Sequence, residues 1–358
     1  MNWRPTPYQA VLAAVLAAAF ASVLLPALSQ ATAPGRNGEI AFARYRFMNS
    51  PLRREIWVTA PNGSGLRRVT VAPANSLDSD PSWAPDGSKL LFSRCAPLNG
   101  APCDGRQTIW SVNADGSHVL MLSRACRRKG TNRAAFARCP DDGQAVYSPR
   151  GALIADIRYN GVPGIAISDS NLRHVRALLP FGGNAGVPDI DALAWSPDAT
   201  RLAFSAHNDN GKRFKPIGGR AIYVINSNGR GLHRVTPWNL HAGGIGELDW
   251  SPDGNRILFR SITQFLESPG PSAGDIYTIH SDGTALQRLT HFPVGTGIQL
   301  GSYSPGGSQL VFATNDGGTR SPGSAFPDVF VMRADGSQIT PVTRTTNWEG
   351  TPQWGPAG

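Results

Sequence analysis

The stretch Leu248-Asp249-Trp250-Ser251-Pro252-Asp253-Gly254-Asn255-Arg256-Ile257-Leu258-Phe259 decides the fold. An alternating apolar strand ends at Trp250, Ser251 to Gly254 supply turn chemistry, and Ile257 and Phe259 restart the alternation on one face. The stretch reads as a β-hairpin.

The same unit recurs around Trp83, Tyr147, Trp195, Tyr303 and Trp354, six copies in all. A second hairpin signal lies between them, starting at Ile56, Ile109, Ile222, Ile276 and Val329 and running each time into an Asn-Gly or Asp-Gly turn. Ile222 and Ile276 stand 54 residues apart, Ile276 and Val329 53. A fixed period with two hairpins per repeat means four strands per unit, and such units bury their faces only against neighbours. The expected fold is therefore all-β, a six-bladed propeller of four-stranded antiparallel blades. At 358 residues the length alone would suggest two or three domains, but the repeat argues for a single one over 34–358. With 40 Gly, 29 Pro and 16% charged residues, the composition suits short strands and tight turns.

Residues 1–33 read as a secretory signal. Arg4 is their only charged side chain, and Ala10 to Leu25 form an uncharged run ended by Pro26, shorter than the roughly 20 residues a spanning helix needs. Small residues at Ala27, Ser29, Ala31 and Ala33 offer cleavage sites; an uncleaved anchor is the alternative. The protein is expected to be exported, periplasmic or extracellular, with no stable membrane span once the signal is removed. The whole chain carries a formal +9, and loss of Arg4 leaves +8. That balance favours anionic partners or surfaces. Nucleic acid is not expected, because the basic residues are mostly scattered and an exported protein rarely meets any.

Gly38-Glu39-Ile40-Ala41-Phe42 matches the half of the repeat that follows each turn, without its first half. The missing half stands at the other end, where Thr351-Pro352-Gln353-Trp354-Gly355-Pro356 stops as the turn begins. The two ends are expected to pair in one blade and close the ring. In that phase both tight turns of every blade fall on one face. The long connections, among them 95–107, 124–142, 207–219 and 262–274, fall on the other, where a site is expected.

The alternation of Trp-Ser-Pro-Asp-Gly turns with Ile-Tyr-Val strands and Asp-Gly turns resembles the TolB-like six-bladed propellers, a WD40-like repeat family, over Gly38 to Pro356. The resemblance implies the fold and leaves the function open. TolB itself carries an α/β domain ahead of its propeller, for which this chain has no room, so its Tol–Pal partnership is not carried over. Exported peptidases with this propeller carry a hydrolase domain after it.

The third repeat departs most from the pattern. Arg150 replaces the turn Asp, and Asp156 falls where the others have Phe204 or Phe259. A carboxylate there requires a slipped register or a charge partner.

Four cysteines, Cys95, Cys103, Cys126 and Cys139, suit disulfides in an exported protein, with Cys95–Cys103 and Cys126–Cys139 favoured over the other connectivities. Zinc is disfavoured, since neither a Cys-x-x-Cys nor paired histidines occur. A basic run carrying Arg127, Arg128, Lys129 and Arg133 is either a solvated loop or a docking patch for an acidic partner.

Carboxylates gather ahead of the innermost strands: Asp78, Asp80, Asp142, Asp189, Asp191, Glu247 and Glu349. They are expected either to cap turns or to approach the mouth of the central channel. With His207, His241, His291, Trp238 and Trp348 on the same face, Asp80, Asp191, Glu247 and Glu349 make the candidate binding surface. No cofactor is expected, although a channel cation such as calcium would suit so many oxygens. Catalytic residues are not assigned. Gly270-Pro271-Ser272-Ala273-Gly274 matches a nucleophile elbow in letters but not in its strand-to-helix context. The expected function is a monomeric, non-catalytic scaffold that binds a protein or cell-envelope component through its long-loop face. The alternatives are a glycan lyase or hydrolase, or a cation or small-ligand binder, at the channel mouth.

Overall fold

A computed structural model describes residues 35–45, 52–97, 107–123, 141–159, 164–180, 189–207, 220–237, 240, 245–262, 274–293, 296–315 and 326–358. In chain order the strands are β1 (Asn37–Tyr45), β2 (Arg54–Thr59), β3 (Arg67–Arg68), β4 (Leu77–Trp83), β5 (Lys89–Cys95), β6 (Gln107–Asn113), β7 (Leu120–Met121) and β8 (Asp142–Tyr147). Next come β9 (Leu153–Arg158), β10 (Gly164–Asp169), β11 (Arg176–Pro180), β12 (Asp189–Trp195), β13 (Arg201–His207), β14 (Arg220–Asn226), β15 (His233–Arg234) and β16 (Ile245–Trp250). The last are β17 (Arg256–Ile262), β18 (Gly274–His280), β19 (Gln287–Arg288), β20 (Ile298–Tyr303), β21 (Gln309–Thr314), β22 (Asp328–Arg333), β23 (Thr340–Pro341) and β24 (Glu349–Pro356). No described helix is long and apolar enough to cross a membrane.

Strands β8 to β11, β12 to β15, β16 to β19 and β20 to β23 form four-stranded antiparallel sheets. The remaining eight form one sheet that divides at a single parallel pair, Arg54 with Leu77, into β24-β1-β2-β3 and β4-β5-β6-β7. β24 lies antiparallel to β1, with Ile40 opposite Trp354 and Arg44 opposite Glu349. The approach is close: a Cβ on Gly38 would overlap the Pro356 carbonyl.

The first strand of each group packs against the group before it. Trp83 lies among Ala41, Ile56 and Val58, Trp195 among Ile157, Ile165 and Leu178, and Trp250 among Ala203, Ile222 and Val224. Tyr303 meets Leu258 and Ile276, and Trp354 meets Val311, Val329 and Val331. Burying a ring of about 150–250 Å² at roughly 25 cal/mol per Å² contributes on the order of 4–6 kcal/mol as an upper estimate. β4, β8, β12, β16, β20 and β24 each touch the next in that order, and β24 touches β4.

Within the groups a second aromatic layer stacks across strands two and three. Phe204 and Tyr223 lie 5.5 Å apart, Phe259 and Tyr277 5.7 Å, Phe312 and Phe330 5.8 Å. Asp156 takes the corresponding place in β9 with no slip of register: Tyr147 pairs with Ile154 as Trp195 pairs with Leu202. It faces Ala166, is fully buried, and accepts a hydrogen bond from Arg158 Nε at 2.8 Å.

Candidate functional site

The innermost strands are irregular at matching places. Pairing shifts between Ser79 and Ser82, Gly143 and Val146, Ile190 and Ala192, Gly246 and Leu248, and Leu300 and Tyr303. On β24 it shifts opposite Ala41 and Ala43. The residues at these bulges are Asp80, Gln144, Asp191, Glu247, Gly301 and Thr351. Four of them take left-handed backbone, with φ of 51° at Asp80, 45° at Gln144, 39° at Glu247 and 44° at Thr351. Such conformations cost on the order of 1–3 kcal/mol each, and a bulge re-aims the side chain it carries. All six residues line one cavity of about 460 Å³, walled by the innermost strand of every group.

Of the four carboxylates that line this cavity, Asp249 accepts the Tyr303 backbone N–H at 2.9 Å and two others are paired with arginines. Asp191 lies 3.2 Å from Arg220, and Glu247 lies 3.4 Å from Arg260 while accepting the Leu300 backbone N–H at 2.5 Å. Burial pushes the Glu247 carboxyl up, opposed by Arg260 and the Leu300 N–H and reinforced by the charge of Asp80. Asp80 makes no hydrogen bond or ion pair among the described residues. Gln107, Tyr159, Gln353 and several serines, among them Ser82 and Ser302, add to the polar part of the wall.

The remaining described carboxylates do different work. Asp78 is fully buried, receives Arg94 through Nε at 2.6 Å and Nη2 at 2.7 Å, and accepts from Thr70 Oγ1 at 2.7 Å. Glu349 receives Arg44 Nε at 2.8 Å and the hydroxyls of Thr343 and Thr345. Asp142 accepts from Ser123 Oγ at 3.1 Å, and burial raises its carboxyl. In each case the hydroxyl ends one group and the carboxylate begins the next, so the contact ties neighbours together.

A sequence signal for this tie exists. Ile56, Ile109, Ile222, Ile276 and Val329 donate their backbone N–H to a hydroxyl 14 residues later: Thr70, Ser123, Thr236, Thr290 and Thr343.

Asp80, Asp191 and Glu247 thus come together, whereas Glu349 and Trp348 are not among the residues lining the cavity. Their places follow from packing. Glu349 faces into the sheet toward Arg44, and Trp348 meets the Tyr45 ring edge-on at 5.0 Å, with Arg54 beside both rings. His291 is exposed beside the buried Thr290. The side chains of His207 and Asp189, and all of Trp238, His241, Arg127, Arg128, Lys129 and Arg133, lie outside the described residues. Cys95 is buried and disulfide-bonded; Cys103, Cys126 and Cys139 lie outside the described residues. No group of three or more His, Cys, Asp or Glu among the described residues is placed to hold a metal ion. Sequence reading missed Arg220, Arg260, Gln144 and Thr351, which reach the cavity through strand position and bulges rather than through any motif.

No protein-family model matches the chain. The ciliary WD repeat-containing protein ctxp80 of Euplotoides octocarinatus is 27% identical over 143 residues, a match that covers 36% of this chain and 18% of that protein's length. Among solved structures, TolB from Acinetobacter baumannii superposes with a TM-score of 0.62 at 18% identity, covering 89% of this chain and 67% of the other. The putative TolB from Agrobacterium tumefaciens gives 0.55 at 19% identity, covering 88% and 91%. At these identities the likeness is one of fold.

Proposed function

We propose that this chain, which has the β-propeller fold of the TolB proteins, is an exported, non-catalytic scaffold that binds a protein or cell-envelope component through one face. In this reading it is a closed ring of six blades sealed by the pairing of β1 with β24. The carrying observation is the asymmetry of its connections. At one end of the strands every turn is short and hydrogen-bonded, as where Gly254 N–H bonds Ser251 O and Gly283 N–H bonds His280 O, both within 2.9 Å. The antiparallel order starts every longer connection from the other end of the described strands, the end at which variable segments are expected to carry binding.

Photo-cross-linking tests this face assignment. A photoreactive side chain placed at His291 or Arg344 is expected to capture an envelope protein, and one at Arg230 or Arg333, beside the tight turns, is not. Equal capture from both ends would overturn the assignment. Residues 1–33 are read as the export signal, and Cys95–Cys103 and Cys126–Cys139 as bridges across two of the variable segments. Non-reducing peptide mapping checks both bridges.

A second reading, an enzyme acting on a glycan or peptide, has one observation behind it. Burial raises the Glu247 carboxyl, and two carboxylates in one cavity, Glu247 and Asp80, can divide acid and base roles. Turnover on glycan and peptide panels that is lost in Glu247→Gln would favour it.

A further inference from the structure

Around the cavity the six bulges divide into unlike arcs. Asp191 and Glu247, on β12 and β16, are each matched by an arginine. Thr351, Asp80 and Gln144, on the adjoining strands β24, β4 and β8, have no such match. Asp80 has no partner among the described residues. Thr351 Oγ1 and Gln144 Oε1 are buried oxygens that no hydrogen-bond donor reaches. A buried acceptor left without a donor costs about 1–3 kcal/mol, so Thr351 and Gln144 can each still accept an N–H; the Trp83 Nε1 donor on β4 likewise lacks an acceptor.

The charge points the same way. With all groups ionised, Asp80, Asp191, Glu247 and Asp249 against Arg220 and Arg260 leave the cavity at −2, inside a chain whose formal charge is +9. An anion would have to displace Asp191 or Glu247 from its arginine. A bare metal ion suits neither the spacing of the carboxylates nor the space, since about 460 Å³ falls in the range of small-molecule pockets, roughly 300–1,000 Å³.

We propose that the Thr351–Asp80–Gln144 arc binds a monovalent organic cation rich in N–H donors, a guanidinium or a primary ammonium group. Asp80 supplies the countercharge, and the Thr351 and Gln144 oxygens take up the remaining N–H groups. The cation is either a free small molecule or an Arg or Lys side chain of a partner; only the second source rests on the scaffold reading above.

Calorimetric titration of the mature chain with arginine amide, the peptide Gly-Arg-Gly and calcium chloride tests the site. Saturable binding of a guanidinium probe is expected, weakened about tenfold or more in Asp80→Asn, reduced by high salt, and unchanged in Arg230→Glu. Equal binding of both probes assigns a free small molecule, and binding of the peptide alone assigns a partner side chain.

The site is overturned if neither guanidinium probe binds, if Asp80→Asn binds them as tightly, or if only calcium responds to that substitution. Melting curves of Asp80→Asn separate a lost site from a lost fold. Cross-linking confined to the long-loop face with no probe binding would remove this site and leave the scaffold standing. Probe binding with cross-linking from both ends would do the reverse.

Discussion

Arg158 binds Asp156 two positions back along its own strand, where the arginines of the two preceding blades lie over aromatic rings. Arg44 sits 4.4 Å from the Trp57 ring and Arg94 4.7 Å from that of Trp110, each reaching a carboxylate of the innermost strand. In the third blade the aromatic pair is replaced by Asp156 and Ala166, and a single arginine serves Asp142 and Asp156.

The fold is therefore expected to tighten as the medium becomes mildly acidic. Burial, opposed by Arg158 and reinforced by the charge of Asp142, raises Asp156 to about 6 from 3.8. A carboxyl raised on folding takes up its proton in the folded state first, so stability rises as pH falls through 6 and is lost as pH climbs back. Between pH 7.5 and 5 the gain is about 1.4 kcal/mol. Urea unfolding of wild type and Asp156→Asn at both values checks it: the increment should vanish in the variant. An identical increment in both would remove Asp156 as its source.

Trp250 is fully buried against the blade before its own. Trp250→Ala is expected to cost about 3–5 kcal/mol, whereas Trp348→Ala, on a half-buried ring, should cost less. Equal midpoints of denaturation for the two variants would contradict the packing assigned to Trp250.

Thr70, Asp78 and Arg94 tie the first two blades. Asp78→Asn leaves the Arg94 charge buried without its counterion and is expected to cost about 3–5 kcal/mol. Thr70→Val removes hydrogen bonds only and should cost about 1–2 kcal/mol. The double variant should cost less than the sum of the two; simple additivity would mean that Thr70 and Asp78 act independently.

Ala199 occupies the turn position held elsewhere by Gly87, Gly151, Gly254 and Gly307, with φ of 57° against 70–73° for the glycines. Left-handed backbone costs an alanine about 1–2 kcal/mol, while glycine loses about 0.5–1 kcal/mol more chain entropy on folding. Ala199→Gly is therefore expected to stabilise by about 0.5–1 kcal/mol, read as a higher melting temperature. A lower one would contradict the turn geometry.

The fold was legible because its signals are local and repeated. Trp250-Ser251-Pro252-Asp253-Gly254 specifies a hairpin without reference to the rest of the chain, and the half-motifs at Ile40 and Trp354 specify their own partners. The carboxylates were harder, because one or two positions separate opposite roles. Asp78, Asp142 and Glu349 stand five residues before Trp83, Tyr147 and Trp354 and turn into the blades; Asp80 and Glu247 stand three before Trp83 and Trp250 and reach the cavity. The bulge that sends them there comes from strand pairing, which no short window of sequence contains. Asp156 kept its register because Ala155 and Ile157 still pack into one core cluster and Ile154, on the other face, into the next, while Arg158 supplies the counterion.

Native-state hydrogen exchange tests most directly whether the chain ends share one sheet, on which the assignment of the two faces depends. The backbone amides of Ile40, Phe42 and Trp354 are expected to exchange as slowly as those of Phe259 and Phe312, through opening of the whole fold. Exchange of residues 349–356 at the rate of a frayed terminus, with the other blades still protected, would contradict it.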